Sequence, residues 1–212
     1  MNMSIRSIAA AALVLMLATP ALAGPPLICH PFQTEGGRLL TWGTGSGWNT
    51  PDRSYNLSRL VADTTAVLTA DAPILTRMEN IRRATIYATR DPQVANELLK
   101  AVIGRALATS TNSAAWFDAG YLIESYKQAV HIRETRNPDL RAWAAVDETI
   151  KVDGYNWVRK AMAMTTASAE MEFAASLMTR GSIASAHRAK ALAATNKGSA
   201  LAKNLATSAE FF

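Results

Sequence analysis

Apolar residues recur along most of the chain at the three-and-four spacing of an amphipathic helix. Nowhere do they keep the two-residue alternation of a half-buried strand. The widest apolar face belongs to Ser113–Arg133. Wound at about 100° per residue, Ala115, Trp116, Ala119, Leu122, Ile123, Tyr126, Ala129 and Val130 fall within an arc of roughly 140°. The opposite side carries Asp118, Glu124, Ser125, Lys127, Gln128 and His131, but also Phe117 and Tyr121, one turn apart. An apolar front with aromatics on the back predicts a long central helix with neighbours on both sides.

The flanking segments repeat the pattern. Leu57, Leu60, Val61, Thr64 and Leu68 form one apolar stripe. Asp71-Ala-Pro73 predicts the start of a second helix, with Ile74, Met78, Ile81, Thr85 and Ala88 inward. On that helix Glu79 precedes Arg83 by one turn, a spacing expected of a surface ion pair. Asp91-Pro92 starts a third helix, with Val94, Leu98, Val102 and Ala106 buried and an end near Ala108. Asn137-Pro138 opens another, through Leu140, Trp143, Ala144 and Ile150, before Asp153-Gly154 breaks it. Tyr155 to Met164 reads as a short helix apolar nearly all round. Glu170 to Arg180 follows, with Gly181 expected to close it. The chain from Ile183 is Ala-rich and helical, interrupted near Gly198.

These segments predict an all-α fold of seven to eight helices, joined by short Asp-Pro, Asn-Pro and Gly turns. Such turns favour antiparallel hairpins. The hairpins begin near Ala72, Asn112 and Gly154, about 40 residues apart, a helical-repeat-like spacing. Residues 24–54 form an irregular arm ahead of a single helical domain spanning 55–212. The arm is rich in Pro and Gly and contains Trp42 and Trp48, large aromatics expected to pin it onto the helices.

The first 23 residues read as a secretory signal peptide: Arg6, an apolar run from Ile8 to Leu17, then Pro20 and the small-x-small site Ala21-Leu22-Ala23. That run is too short to cross a bilayer, which takes about 20 residues. The expected location is therefore periplasmic or extracellular. Cys29 is the single cysteine, so no intramolecular disulfide can form. The formal charge is +5. Arg188, Lys190, Lys197 and Lys203 stand against Glu210 alone in the last stretch, so the excess gathers in the C-terminal tail. A basic tail suits weak binding to an anionic lipid or wall surface, and export argues against nucleic acid.

Trp116-x-x-Ala119-Gly120 and Tyr126-x-x-Ala129-Val130 resemble the first and second helices of a tetratricopeptide repeat, although here they overlap on one helix. Asp91-Pro-Gln-Val94 resembles a HEAT-type helix start. Gly24-Pro-Pro-Leu-Ile-Cys-His-Pro-Phe32, followed later by Trp116-Phe-Asp-Ala-Gly-Tyr-Leu122, resembles uncharacterised bacterial exported helical proteins. These resemblances imply helical-repeat-like packing and carry no site residues.

Reactive motifs are few. There is no His-Glu-x-x-His, no Gly-x-Ser-x-Gly elbow and no Gly-Lys-Ser/Thr phosphate loop. Cys29-His30 is the one adjacent reactive pair. It admits a soft metal, an intermolecular disulfide, a nucleophile or a merely structural cysteine. No cofactor is implied. Phe117, Tyr121, Glu124 and Gln128 make a mixed aromatic and polar stripe, either covered by another segment or lining a groove. The expected function is an exported, non-catalytic helical module that binds a partner protein or peptide through that groove. The alternative is metal or thiol handling by Cys29-His30.

Overall fold

The computed structural model describes residues 26–136 and 151–209. The signal segment, the helix expected from Asn137 to Ile150, and Glu210 lie outside the described residues. Among those described, every regular element is helical. A 3-10 turn, Leu57–Arg59, leads into α1 (Leu60–Val67), followed by α2 (Ile74–Ala88), α3 (Pro92–Ala108) and α4 (Ser113–Arg136). Then come α5 (Gly154–Ala163), α6 (Ala169–Met178), α7 (Gly181–Ala193) and α8 (Ala200–Thr207).

Local chemistry sets the helix starts. Asp91 caps α3 by accepting from the Gln93 and Val94 amides, with Pro92 in the first turn. Asp153, Ser168 and Ser199 cap α5, α6 and α8 in the same way. Two boundaries differ from expectation. Pro73, not Asp71, is the residue flanking α2. Gly181 does not end α6, which stops at Met178; with a φ of 59° it is the first residue of α7.

Helices pack against their chain neighbours, and α4 also reaches α2 and α5. It is a central helix in the full sense. Ala115 to Ile123 is buried on every side, Asp118 included. Ala119, Leu122, Ile123 and Tyr126 meet the main core, while Phe117 and Tyr121 stack on each other at 5.6 Å on the far side. Helix α2 is buried almost all round too, polar residues among them. Helix α5 is the opposite case. The sequence suggests apolar residues all round it, yet only Gly154, Val158 and Ala161 are buried. Tyr155, Trp157 and Met162 are half-buried, and Asn156, Arg159 and Lys160 face solvent.

The crossing of α4 and α5 depends on two glycines. A Cβ at Gly120 would stand 2.5 Å from the Gly154 carbonyl oxygen, and one at Gly154 would stand 2.5 Å from the Gly120 carbonyl oxygen. The two backbones therefore touch with no room for a methyl group. Beside this contact Trp116 packs on Trp157 with centroids 4.7 Å apart, and the Lys160 ammonium sits 3.3 Å from the Trp116 ring centre. Gly154 is thus both the first residue of a capped helix and a contact point, where the sequence suggests only a break.

Gly120→Ala should lower stability by about 1–3 kcal/mol, since the neighbouring atoms are backbone and cannot step aside. Gly104, exposed on α3 with nothing near its would-be Cβ, should respond oppositely. Gly104→Ala should gain roughly 0.5–1 kcal/mol from helix propensity. Thermal melts of the two variants should move in opposite directions from wild type.

Candidate functional site

The most elaborate chemistry lies between α2 and the N-terminal arm. Arg77 and Arg82 are the largest fully buried side chains among the described residues. An isolated buried charge costs several kcal/mol, so each must be matched. Arg82 grips Glu79 with two parallel bonds, Nε to Oε2 and Nη2 to Oε1, both 2.8 Å. Its remaining nitrogen donates to the carbonyls of Trp48 at 2.9 Å and Ile28 at 3.3 Å. Arg83 adds a second guanidinium to Glu79 at 2.7 Å. The Glu79–Arg83 pair is thus an interior one, not the surface pair its spacing suggests, because the arm lies over it. Burial opposes ionisation of Glu79. Its two guanidinium partners and the Phe32 amide overcome that, leaving the carboxyl below its usual range.

The rest of the α2 face reads main-chain groups of the arm in order. Thr76 donates to the Gly36 carbonyl at 2.8 Å. Asn80 donates to the Arg38 carbonyl and accepts from the Leu40 amide, both at 2.8 Å. Arg83 donates to the Leu40 carbonyl at 2.6 Å. Tyr87 donates to the Thr41 carbonyl at 2.8 Å and accepts from the Asp52 amide at 3.1 Å. On α8, Asn204 holds both the amide and the carbonyl of Gln33 at 2.8 Å. Glu35 in turn accepts from the Ala200 amide in the first turn of α8. Apolar anchors fill the spaces between these contacts. Leu27, Ile28, Phe32 and Leu40 are buried, and Phe32 meets Phe173 edge-on at 6.2 Å. Trp42 lies against Tyr87, with the Arg82 guanidinium 5.0 Å from its ring centre.

The stripe expected to line a groove is enclosed here. Phe117 and Tyr121 are 0% exposed. Glu124 accepts from the Gly154 amide at 2.9 Å and from Lys127 at 2.7 Å. Gln128 accepts from the Leu27 amide at 2.8 Å, which ties the arm to α4. Phe117 and Tyr121 are thus interior, as two aromatics are more stable out of water, while Glu124 and Gln128 are half-buried, so the four do not line the open groove expected of them. Asp118, expected on the polar side of α4, pairs with Arg77 at 2.8 Å inside the protein.

Cys29 is buried, and His30 beside it is half-buried. Among the described residues no group of three or more His, Cys, Asp or Glu side chains is placed to hold a metal ion. Among the described residues Cys29-His30 thus belongs to no cluster of the kind a closed metal site is built from. Of the basic tail residues, Arg188 donates to the Leu205 carbonyl and the Ser208 hydroxyl, and Lys190 lies 3.5 Å from Glu172. Lys197 and Lys203 are exposed. No helix among the described residues is long and apolar enough to cross a membrane.

One constellation has no signature in the sequence. Tyr155 of α5, Glu172 of α6 and His187 of α7 converge. The Tyr155 hydroxyl is 2.7 Å from His187 Nε2, and His187 Nδ1 is hydrogen-bonded to the Glu172 carboxylate. They lie 15 to 32 residues apart on three helices, so no spacing rule connects them. The capping residues Asp153 and Ser168, which set where α5 and α6 begin, are the only sequence features bearing on their positions.

No family model matches the chain, and comparison with curated proteins and with solved structures finds no similar protein.

Burial raises the Asp118 carboxyl from 3.8 to about 6 despite Arg77. Because the folded value lies above the unfolded one, its contribution to stability is full below pH 3.8 and is lost as pH rises through about 6. Asp118→Asn cannot titrate and removes the carboxylate facing Nη1 of Arg77, whose other nitrogens donate to the Ala72, Thr69 and Ala70 carbonyls, so it should be less stable than wild type. The gap should narrow as pH rises from about 4 to about 6, by at most about 1.4 kcal/mol for each pH unit. Urea denaturation of both proteins across that range checks this; a gap that widens with pH would refute it.

Proposed function

We propose that this is an exported helical module that binds a partner protein or peptide by holding an extended segment along α2 and α8. Its own arm is the resident occupant. The observation that carries this reading is that the arm is held mainly by its main chain. Asn80, Asn204, Arg83, Tyr87 and Thr76 all bond to backbone amides or carbonyls. Every sequence carries those groups, so a foreign extended segment could satisfy them equally. Leu39 and Thr41 of the arm point to solvent while Leu40 is buried, the alternation by which an extended ligand is read through every second side chain. A partner segment would need apolar anchors in the places of Phe32, Leu40 and Trp42. The sequence start supports export: a short apolar run behind Arg6 and a small-x-small site at Ala21–Ala23. The exposed Lys197 and Lys203 suit only a weak supplementary contact with an anionic surface.

A tethered arm acts at an effective concentration on the order of millimolar, so exchange requires the arm to be loosened. Trp42→Ala should do this while leaving the α2 side chains in place. A fluorescent peptide of residues 26–56, added to the full-length Trp42→Ala protein, should bind at least about tenfold tighter than to wild type by anisotropy. Adding Asn80→Ala should reverse most of that gain. If the peptide ignores a Trp42→Ala protein that keeps its helical circular dichroism, the arm is a fixed part of the core and the exchange reading fails.

A further inference from the structure

We propose that Tyr155 is a nucleophile, activated by His187 as base with Glu172 as positioning residue, and that it takes an acyl group from an activated ester. The geometry has three parts. Ionised Glu172 can only accept hydrogen bonds, so the proton between it and His187 belongs to Nδ1. In the neutral imidazole the lone pair then lies on Nε2, facing the Tyr155 hydroxyl at 2.7 Å. In that tautomer the phenol is the donor, and His187 is placed to take its proton. This is the order nucleophile, base, orienting carboxylate by which weak oxygen nucleophiles are activated.

Surroundings separate this phenol from the other tyrosines. Tyr87, Tyr121 and Tyr126 are fully buried. Tyr55 is half-buried like Tyr155, but it donates to the Asp63 carboxylate at 2.8 Å, and burial together with that carboxylate pushes its ionisation well up. Tyr155 thus combines partial exposure with a hydrogen bond to an imidazole nitrogen. One cation stands beside the phenol ring and another beside the orienting carboxylate. The Arg159 guanidinium lies 5.9 Å from its ring centre, and Lys190 lies 3.5 Å from Glu172. They favour an ester bearing negative charge on its acyl or leaving group.

In the step proposed, Tyr155 Oη attacks the ester carbonyl carbon and its proton passes to His187 Nε2. The bond from that carbon to the leaving oxygen breaks, the leaving oxygen takes the proton from the imidazolium, and an acyl-tyrosine remains. This is independent of the arm and of segment binding.

The test treats the full-length protein with 4-nitrophenyl acetate and with the anionic 4-nitrophenyl hemisuccinate, and maps adducts by peptide mass spectrometry. Tyr155 should be acylated at least about tenfold faster than Tyr55, and faster by the hemisuccinate relative to that same internal reference. His187→Gln should bring Tyr155 down to the Tyr55 rate, and Glu172→Gln should fall between. Should either variant fail to fold, the wild-type ratio of Tyr155 to Tyr55 labelling decides alone. Equal labelling of the two tyrosines, acylation at His187 instead, or a Tyr155 rate unmoved by a folded His187→Gln protein each overturns the assignment.

Discussion

The buried fork between Glu79 and Arg82 is the constraint on which the arrangement of the chain depends. A guanidinium with almost no contact with water needs a partner for each of its hydrogens, and Glu79 supplies only part of that set. The remainder are carbonyls of Ile28 and Trp48, and the carboxylate itself takes the Phe32 amide. Both members of the pair are therefore completed by the arm. With the arm away, an ion pair and a third charge from Arg83 would face either water or nothing. The place beside α2 is consequently filled by the arm.

The helices are readable in the sequence because their periodicity and caps are local. Asp91-Pro92 needs only its own next turn to start α3, and Leu98, Val102 and Ala106 show their inward face by spacing. The burial of polar residues is not readable in this way. Periodicity assigns a charged residue to solvent by default, and so puts Glu79, Asp118 and Ser125 on outer faces. Their burial is decided by what arrives from elsewhere: the arm over α2, and α2 itself against α4. The same holds for Gly154, where sequence marks a break but only the approach of α4 shows why a side chain is excluded.

The candidate site is only partly legible for the same reason. Gln128 stands out in the sequence for lying on the back of the central helix, and in the fold its side chain accepts from the Leu27 amide of the same chain. Its companions Phe117 and Tyr121 are interior. The residues that read the arm, Asn80, Tyr87 and Asn204, carry no motif, since hydrogen bonds to main chain impose no pattern on the residues bonded. Tyr155, Glu172 and His187 come from three helices whose mutual angles no local rule supplies. Glu170 and Glu172 point by spacing to different sides of α6, but spacing does not say which side is inward; Glu172 turns to His187 while Glu170 is half-buried.

The bond between Gln33 and Asn204 joins positions 171 residues apart. The arm's other clasp is much nearer in the chain: Leu40 and Asn80 are 40 residues apart. Helix α2 can therefore take up the middle of the arm as soon as that helix exists, whereas Gln33 has to wait for α8. A molecule interrupted before α8 would keep the first clasp and lack the second, so the leading part of the arm would be fastened at one point where the whole fold fastens it at two.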